Sequence, residues 1–217
     1  MHAPTRHEAE TTVPARPRVL VWDVPLRLFH WLMVACFTGA YLTAESSFWR
    51  PVHATLGYTM AGLVVFRLIW GLVGTRYARF SQFVRGPRTA SAYLSSLLRG
   101  QPLHYTGHNP LGALAVVSLL GLTLIVALTG WATLNDWGGK WSEQLHEGLA
   151  NAMLGLVLLH VVAVIITSRL HHEHLIAAML HGKKEGLPGE GITQRRRLVA
   201  FLLLAAVVGF WWLQLRF

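Results

Sequence analysis

Five apolar runs dominate the chain, at 24–44, 50–74, 110–134, 143–168 and 198–215. A helix crosses a hydrocarbon core of ~30 Å with about 20 residues, so each run is long enough to span. Backbone groups in lipid must bond within the protein, and a helix does this one segment at a time. The period-two alternation of a half-buried strand is absent, so no β structure is expected. The expected fold class is all-α. It is an integral membrane four-helix bundle with a fifth, C-terminal transmembrane helix. Composition agrees, because 13% of residues are charged, about half the roughly 25% of a soluble domain.

The formal charge of +9 raises nucleic acid as a partner, and the placement of the charge removes it. Arg6, Arg16 and Arg18 precede the first run. Arg76, Arg79, Arg85, Arg88 and Arg99 fall between the second and third. Arg169, Lys183, Lys184, Arg195, Arg196 and Arg197 fall between the fourth and fifth. These fourteen lie on one side of an alternating topology, against Arg50, Lys140 and Arg216 on the other. The positive-inside rule makes the N-terminus cytoplasmic and the C-terminus external. Topology and anionic lipid account for the basic excess. Trp49, Trp137, Trp141, Trp211 and Trp212 fall near the outer ends, as in an aromatic belt.

Cys36 is the single cysteine. It excludes an internal disulfide, a thiolate-rich zinc or iron–sulfur site and a C-x-x-C-H haem attachment, and it reads as a small core residue. The first seventeen residues are polar and proline-broken and lack a secretory h-region. Two stretches at the basic side read as short amphipathic helices. In "PRTASAYLSSLLRG", Ala90, Tyr93, Leu94, Leu97 and Leu98 share a face; in "HLIAAMLHG", Leu175, Ile176, Met179 and Leu180 do. Such faces suit a membrane surface or a soluble partner.

Four of the twelve histidines lie in the expected spans: His30 in the first, His53 in the second, His146 and His160 in the fourth. Ionisable groups at membrane depth face a bundle interior for a reason. Alternating helix direction puts His30 and His160 at one level and His53 and His146 at another. The fourth helix separates its two histidines by ~21 Å, at 1.5 Å per residue, and nearly four turns return them to the same side. Each level thus offers two neutral nitrogens from different helices. Zinc wants about four ligands, whereas haem iron takes two axial ones across a planar, apolar ring. Arg67 follows His53 by fourteen residues and shares its face at the inner level, where a haem propionate or the nearby surface is its partner. Gly39, Gly57, Gly62, Gly130 and Gly155 allow close helix approach.

These residues carry a resemblance. "VWDVPLRLFHW", "HATLGY" with "FRLIWGLVG", "GHNPLG" and "HEGLANAMLGLVLLH" together resemble the bacterial cytochrome b-561 and nickel–iron hydrogenase b-type cytochrome family, over about 19–184. The resemblance implies a four-helix core with two non-covalent b-type haems. His30 and His160 would be the axial ligands of the inner haem, and His53 and His146 those of the outer. It implies electron transfer between membrane quinone and a partner redox protein, such as a hydrogenase or a cytochrome c. The bacterial inner membrane is the implied location, and a homodimer is compatible with it. The domains follow as a disordered cytoplasmic tail at 1–18, the dihaem core at 19–184, and a linker with the additional helix at 185–217. The last segment extends beyond the four-helix core, and "HHEH", 171–174, is not part of the haem motif. His171, His172 and His174 read as surface histidines, with metal binding as the alternative. "GHNP" is assigned a structural role, with Asn109 and Pro110 starting a helix.

The expected function is a membrane dihaem cytochrome b. A haem-containing anchor subunit of a soluble oxidoreductase is the alternative, and a histidine-lined metal transporter a more distant one. Glu45, Asp136, Glu143 and Glu147 on the outer side and Asp23 on the inner are carboxylates for proton exchange with quinone or plain interfacial groups.

Overall fold

A computed structural model describes residues 17–101, 103, 105–214 and 216. Seven helices run in the order α1 (Val24–Thr43), α2 (Arg50–Val73), α3 (Pro87–Leu98), α4 (Pro110–Leu134), α5 (Lys140–Leu170), α6 (Leu175–His181) and α7 (Arg197–Gln214). Each of the five apolar runs is a helix, with ends within a few residues of those expected. Proline explains several starts: α1, α2, α3 and α4 each carry one in the first two positions, where its missing N–H costs nothing. Asn109 caps α4 as expected, its Oδ1 accepting from the Gly112 amide at 2.7 Å.

The long helices form an open bundle. α1 packs on α2, α2 on α4, and α4 on α5, while α7 leans on α1 and α2. α1 and α5 meet through the Tyr41 hydroxyl, 3.4 Å from Asn151 Oδ1. Leu63 and Val64 of α2 and Cys36 of α1 are buried between helices, Cys36 as the core residue expected. Outward faces stay apolar and exposed, among them Ile69, Leu72, Leu128, Leu159 and Phe201. So much exposed hydrocarbon suits lipid and not water. α2, α4, α5 and α7 are long and apolar enough to cross a membrane. α1 is of crossing length but less apolar, since it carries Arg27 and His30.

One expectation needs correction. Strand β1 (Arg18–Leu20) pairs antiparallel with β2 (Lys183–Glu185), so the chain is not wholly free of β structure. Three-residue strands leave no alternation to detect. Of the expected tail, residues 1–16 lie outside the described residues, and Arg18 already belongs to β1. Neighbouring bonds extend this clasp at the basic end. The Val21 and Trp22 amides donate to the Gly182 carbonyl at 2.8 and 3.0 Å, and the Ile192 amide to that of Leu20 at 2.7 Å. Gly182 has φ +84°, and a Cβ there would lie 2.6 Å from the Trp22 oxygen, so only glycine fits.

Asp23 locks the same end. It is 1% exposed, caps α1 through the Leu26 amide at 2.8 Å, and accepts from Trp70 Nε1 at 3.0 Å and Thr75 Oγ1 at 2.6 Å. Its oxygens are thus spent on structure. The short helix α6 docks on α1: Trp31 Nε1 donates to the Met179 carbonyl at 3.1 Å and Arg27 to that of Leu180. α3 buries Ala90 and Tyr93 but leaves Leu94 and Leu98 exposed. Trp49, Trp137, Trp141 and Trp212 are exposed as a belt requires. Trp211 differs, turning inward to donate from Nε1 to Thr59 Oγ1 at 2.8 Å, a partner that satisfies a partly buried indole.

Candidate haem sites

One of the two expected histidine pairs meets. The His53 and His146 rings, from α2 and α5, stand 6.1 Å apart between centroids and nearly perpendicular, at 88°. Each is oriented by a backbone carbonyl. His53 Nδ1 lies 2.8 Å from the Ala40 oxygen of α1, and His146 Nδ1 lies 3.0 Å from the Val126 oxygen of α4. A carbonyl can only accept, so each Nδ1 holds the proton and each Nε2 keeps its lone pair. That is how a metal-ligating imidazole is set up, with an outer hydrogen bond fixing tautomer and ring angle. Two imidazoles on opposite sides of one metal have ring centres about 6 Å apart, adding metal–nitrogen bonds of ~2 Å to the ring radii. The observed separation fits, and so does the neutral two-nitrogen donor set.

Packing enforces this arrangement. Gly130 of α4 lies against the His146 ring, and a Cβ there would sit 2.8 Å from Cε1. Gly39 is the helix-packing residue expected, its added Cβ falling 2.9 Å from Leu56 Cδ1. Gly57, Gly62 and Gly155 have nothing within 4 Å of that position.

At the other level, His30 of α1 and His160 of α5 lie close enough for the charge on one to act on the other. His30 is partly buried and its Nδ1 has no hydrogen-bond partner. Arg67 of α2 is 1% exposed, and neither Nη1 nor Nη2 has a hydrogen-bond partner. Its guanidinium rests over the Phe80 ring at 4.6 Å. It therefore does not snorkel to the surface, which was one of its two expected roles.

His108 was missed as a site residue. It lies two residues before α4, between Trp22 and Phe83, with ring centroids 4.6 and 4.5 Å away. Its Nδ1 is buried without a partner. Burial, then the charges of Arg67, Lys184 and His160, push its pKa down to about 3, so the ring is neutral. The signal available in sequence was its side, because a residue just before the third span falls at the same membrane face toward which His30 and His160 lie.

The "HHEH" run serves structure. His171 Nε2 lies 3.2 Å from the Tyr93 hydroxyl, joining α5 to α3, and Glu173 pairs with Lys184 of β2 at 2.9 Å. Among the described residues, no group of three or more His, Cys, Asp or Glu side chains is disposed to hold a metal ion.

An apolar helical bundle with paired imidazoles on facing helices and no thiol attachment defines a class: a membrane cytochrome of the b type. Comparison with known proteins makes this specific. The chain belongs to the prokaryotic cytochrome b561 family, whose model matches residues 21–182. A Ni/Fe-hydrogenase B-type cytochrome subunit of Bradyrhizobium diazoefficiens is 24% identical over 218 residues, covering 78% of this chain and 87% of its own. Similarly named subunits of Rhodobacter capsulatus and Escherichia coli are 26% and 24% identical, covering 77% and 75% of this chain and 72% and 88% of theirs. No solved structure matches the chain. The family implies b-type haem and a membrane electron-transfer role, and the apolar helices agree with a multi-pass membrane protein.

Proposed function

We propose that this membrane cytochrome b holds two haems, one above the other, and conducts electrons across the bilayer between quinone and a partner redox protein. His53 and His146 are the axial ligands of the outer haem, His30 and His160 those of the inner, and Arg67 pairs with a propionate. The observation that carries the reading is the outer pair: two rings 6.1 Å apart, each with Nδ1 tied to a carbonyl and Nε2 left to ligate. Bound haem supplies a one-electron iron couple, and the chain supplies ligation, orientation and burial. α5 contributes one histidine to each level, which holds the two sites in register along one rigid element. With both axial positions filled by protein, the centre is suited to passing electrons and not to binding oxygen.

The basic end, rich in Arg and Lys, lies in the cytoplasm of a bacterial inner membrane, and α7 ends outside. Residues 19–184 form the dihaem core and 185–217 add a linker and α7. The names of the relatives support a hydrogenase as the partner, with the chain then acting as its membrane anchor too; a cytochrome c is the other candidate. The test is a reduced-minus-oxidised spectrum of the purified protein, before and after adding a quinol. About two b haems per chain, reducible by quinol, is the expected result. A preparation with metal and no porphyrin absorption would return the histidines to a transporter role.

A further inference from the structure

We propose that Arg67 and His108 together clasp one propionate carboxylate of the inner haem, an inference that rests on the dihaem reading above. Three buried polar atoms without hydrogen-bond partners belong to these two residues: Arg67 Nη1 and Nη2, and His108 Nδ1. One aromatic wall carries both. The Arg67 guanidinium sits over Phe80, the Phe80 and Phe83 centroids are 5.8 Å apart, and Phe83 packs at a tilt against His108 with centroids 4.5 Å apart. The Arg67 and His160 charges both act on His108, in keeping with the three residues facing one region. Arg67 also stands fourteen residues beyond His53, the same helical separation as His146 to His160.

The chemistry of the occupant follows from what the chain does not supply. A buried guanidinium needs an anion. Asp23 is the nearby carboxylate, and its oxygens are taken by the Leu26 amide, Trp70 and Thr75. Glu173 is engaged by Lys184. Asp23 balances charge at a distance, but no carboxylate among the described residues accepts from Arg67 Nη1 or Nη2, so their acceptor comes from outside the chain. A quinone head is neutral and leaves the charge unmatched, whereas a carboxylate accepts from both guanidinium nitrogens and from a His108 Nδ1–H. A surface cleft lined by Arg76, Tyr77, Arg85, Phe83, His108 and Glu190 opens at His108, and the Glu190 carboxylate in it is held by Thr106 and the Leu187 amide.

The experiment uses resonance Raman spectroscopy of the purified holoprotein, reading the propionate-bending band, with wild type, His108→Leu, His108→Gln and Arg67→Lys. The inner haem is recognised as the one lost in His160→Ala. The expected result is a shifted band for the inner haem alone in His108→Leu and Arg67→Lys, with recovery in His108→Gln, which keeps a donor. Release of the inner haem should be ~10-fold faster in His108→Leu, as for loss of an outer-shell partner. Loss of the inner haem in His108→Leu, rescued in His108→Gln, supports the same contact. An unshifted band in all variants overturns the proposal. So does a wild-type band that moves only when a short-chain quinone is added, which assigns the pair to quinone. Failure of the dihaem reading is seen separately, as fewer than two haems in wild type before any substitution is made.

Discussion

Replacing Gly130 by alanine tests the outer site without touching a ligand. The new Cβ would lie 2.8 Å from His146 Cε1 and 3.2 Å from Nδ1. Ordinary contact begins at 3.4 Å, so the ring must retreat by about 0.6 Å, the difference of the two distances. Metal–ligand bonds hold to about ±0.2 Å, and retreat also stretches the hydrogen bond to Val126. α4 and α5 pack closely along their length, which limits relief by helix separation. Overpacking of this kind costs about 1–3 kcal/mol, which at 1.4 kcal/mol per tenfold is roughly a 5- to 140-fold loss if it falls on haem affinity. The assay is haem per chain together with a redox titration of the purified protein. Gly130→Ala should lose or shift one component, the one removed by His53→Ala, and leave the other unchanged. Gly209→Ala, where nothing lies within 4 Å of the added atom, is the control and should match wild type. Two haems with unaltered potentials in Gly130→Ala would refute the placement of His146 as a ligand held by this contact.

Asp23→Ala should destabilise the protein in detergent by about 2–4 kcal/mol in a denaturant titration, since it removes a helix cap worth ~1 kcal/mol and leaves the buried Trp70 donor and the partly buried Thr75 hydroxyl without this acceptor. Lys184→Met should destabilise the protein by the same assay, because it removes a buried cation that pairs with Glu173 and donates to the Tyr105 carbonyl, and changing both charged partners to apolar residues should recover part of it. Gly182→Val should lower expression and melting temperature sharply, since φ +84° and the Trp22 carbonyl exclude a side chain.

The spans were legible because membrane crossing imposes a length and an apolarity that sequence displays directly. Their starts were legible where proline or Asn109 marks them. The two histidine levels followed from helix rise and alternating direction alone, and the meeting of His53 with His146 agrees with that arithmetic. The β1–β2 clasp was not legible: it joins segments some 165 residues apart through backbone bonds, which side chains do not announce. α6 looked like a surface helix because its partners on α1 are the donors Arg27 and Trp31, and its own contribution is accepting carbonyl oxygen. Trp211 looked like part of the belt until its partner Thr59 on another helix was known. His108 was passed over because a histidine beside a helix cap has an adequate local explanation, and only the packing of the Trp22 and Phe83 rings against it shows it to be enclosed.

The pairing of histidines across helices is the central claim, and haem counts on four single variants test it most directly. His53→Ala and His146→Ala should abolish the same spectral component, and His30→Ala and His160→Ala should abolish the other, with wild type holding about two haems per chain. Loss of one common component by His30→Ala and His53→Ala, or retention of both haems in any of the four, would contradict the two-level account.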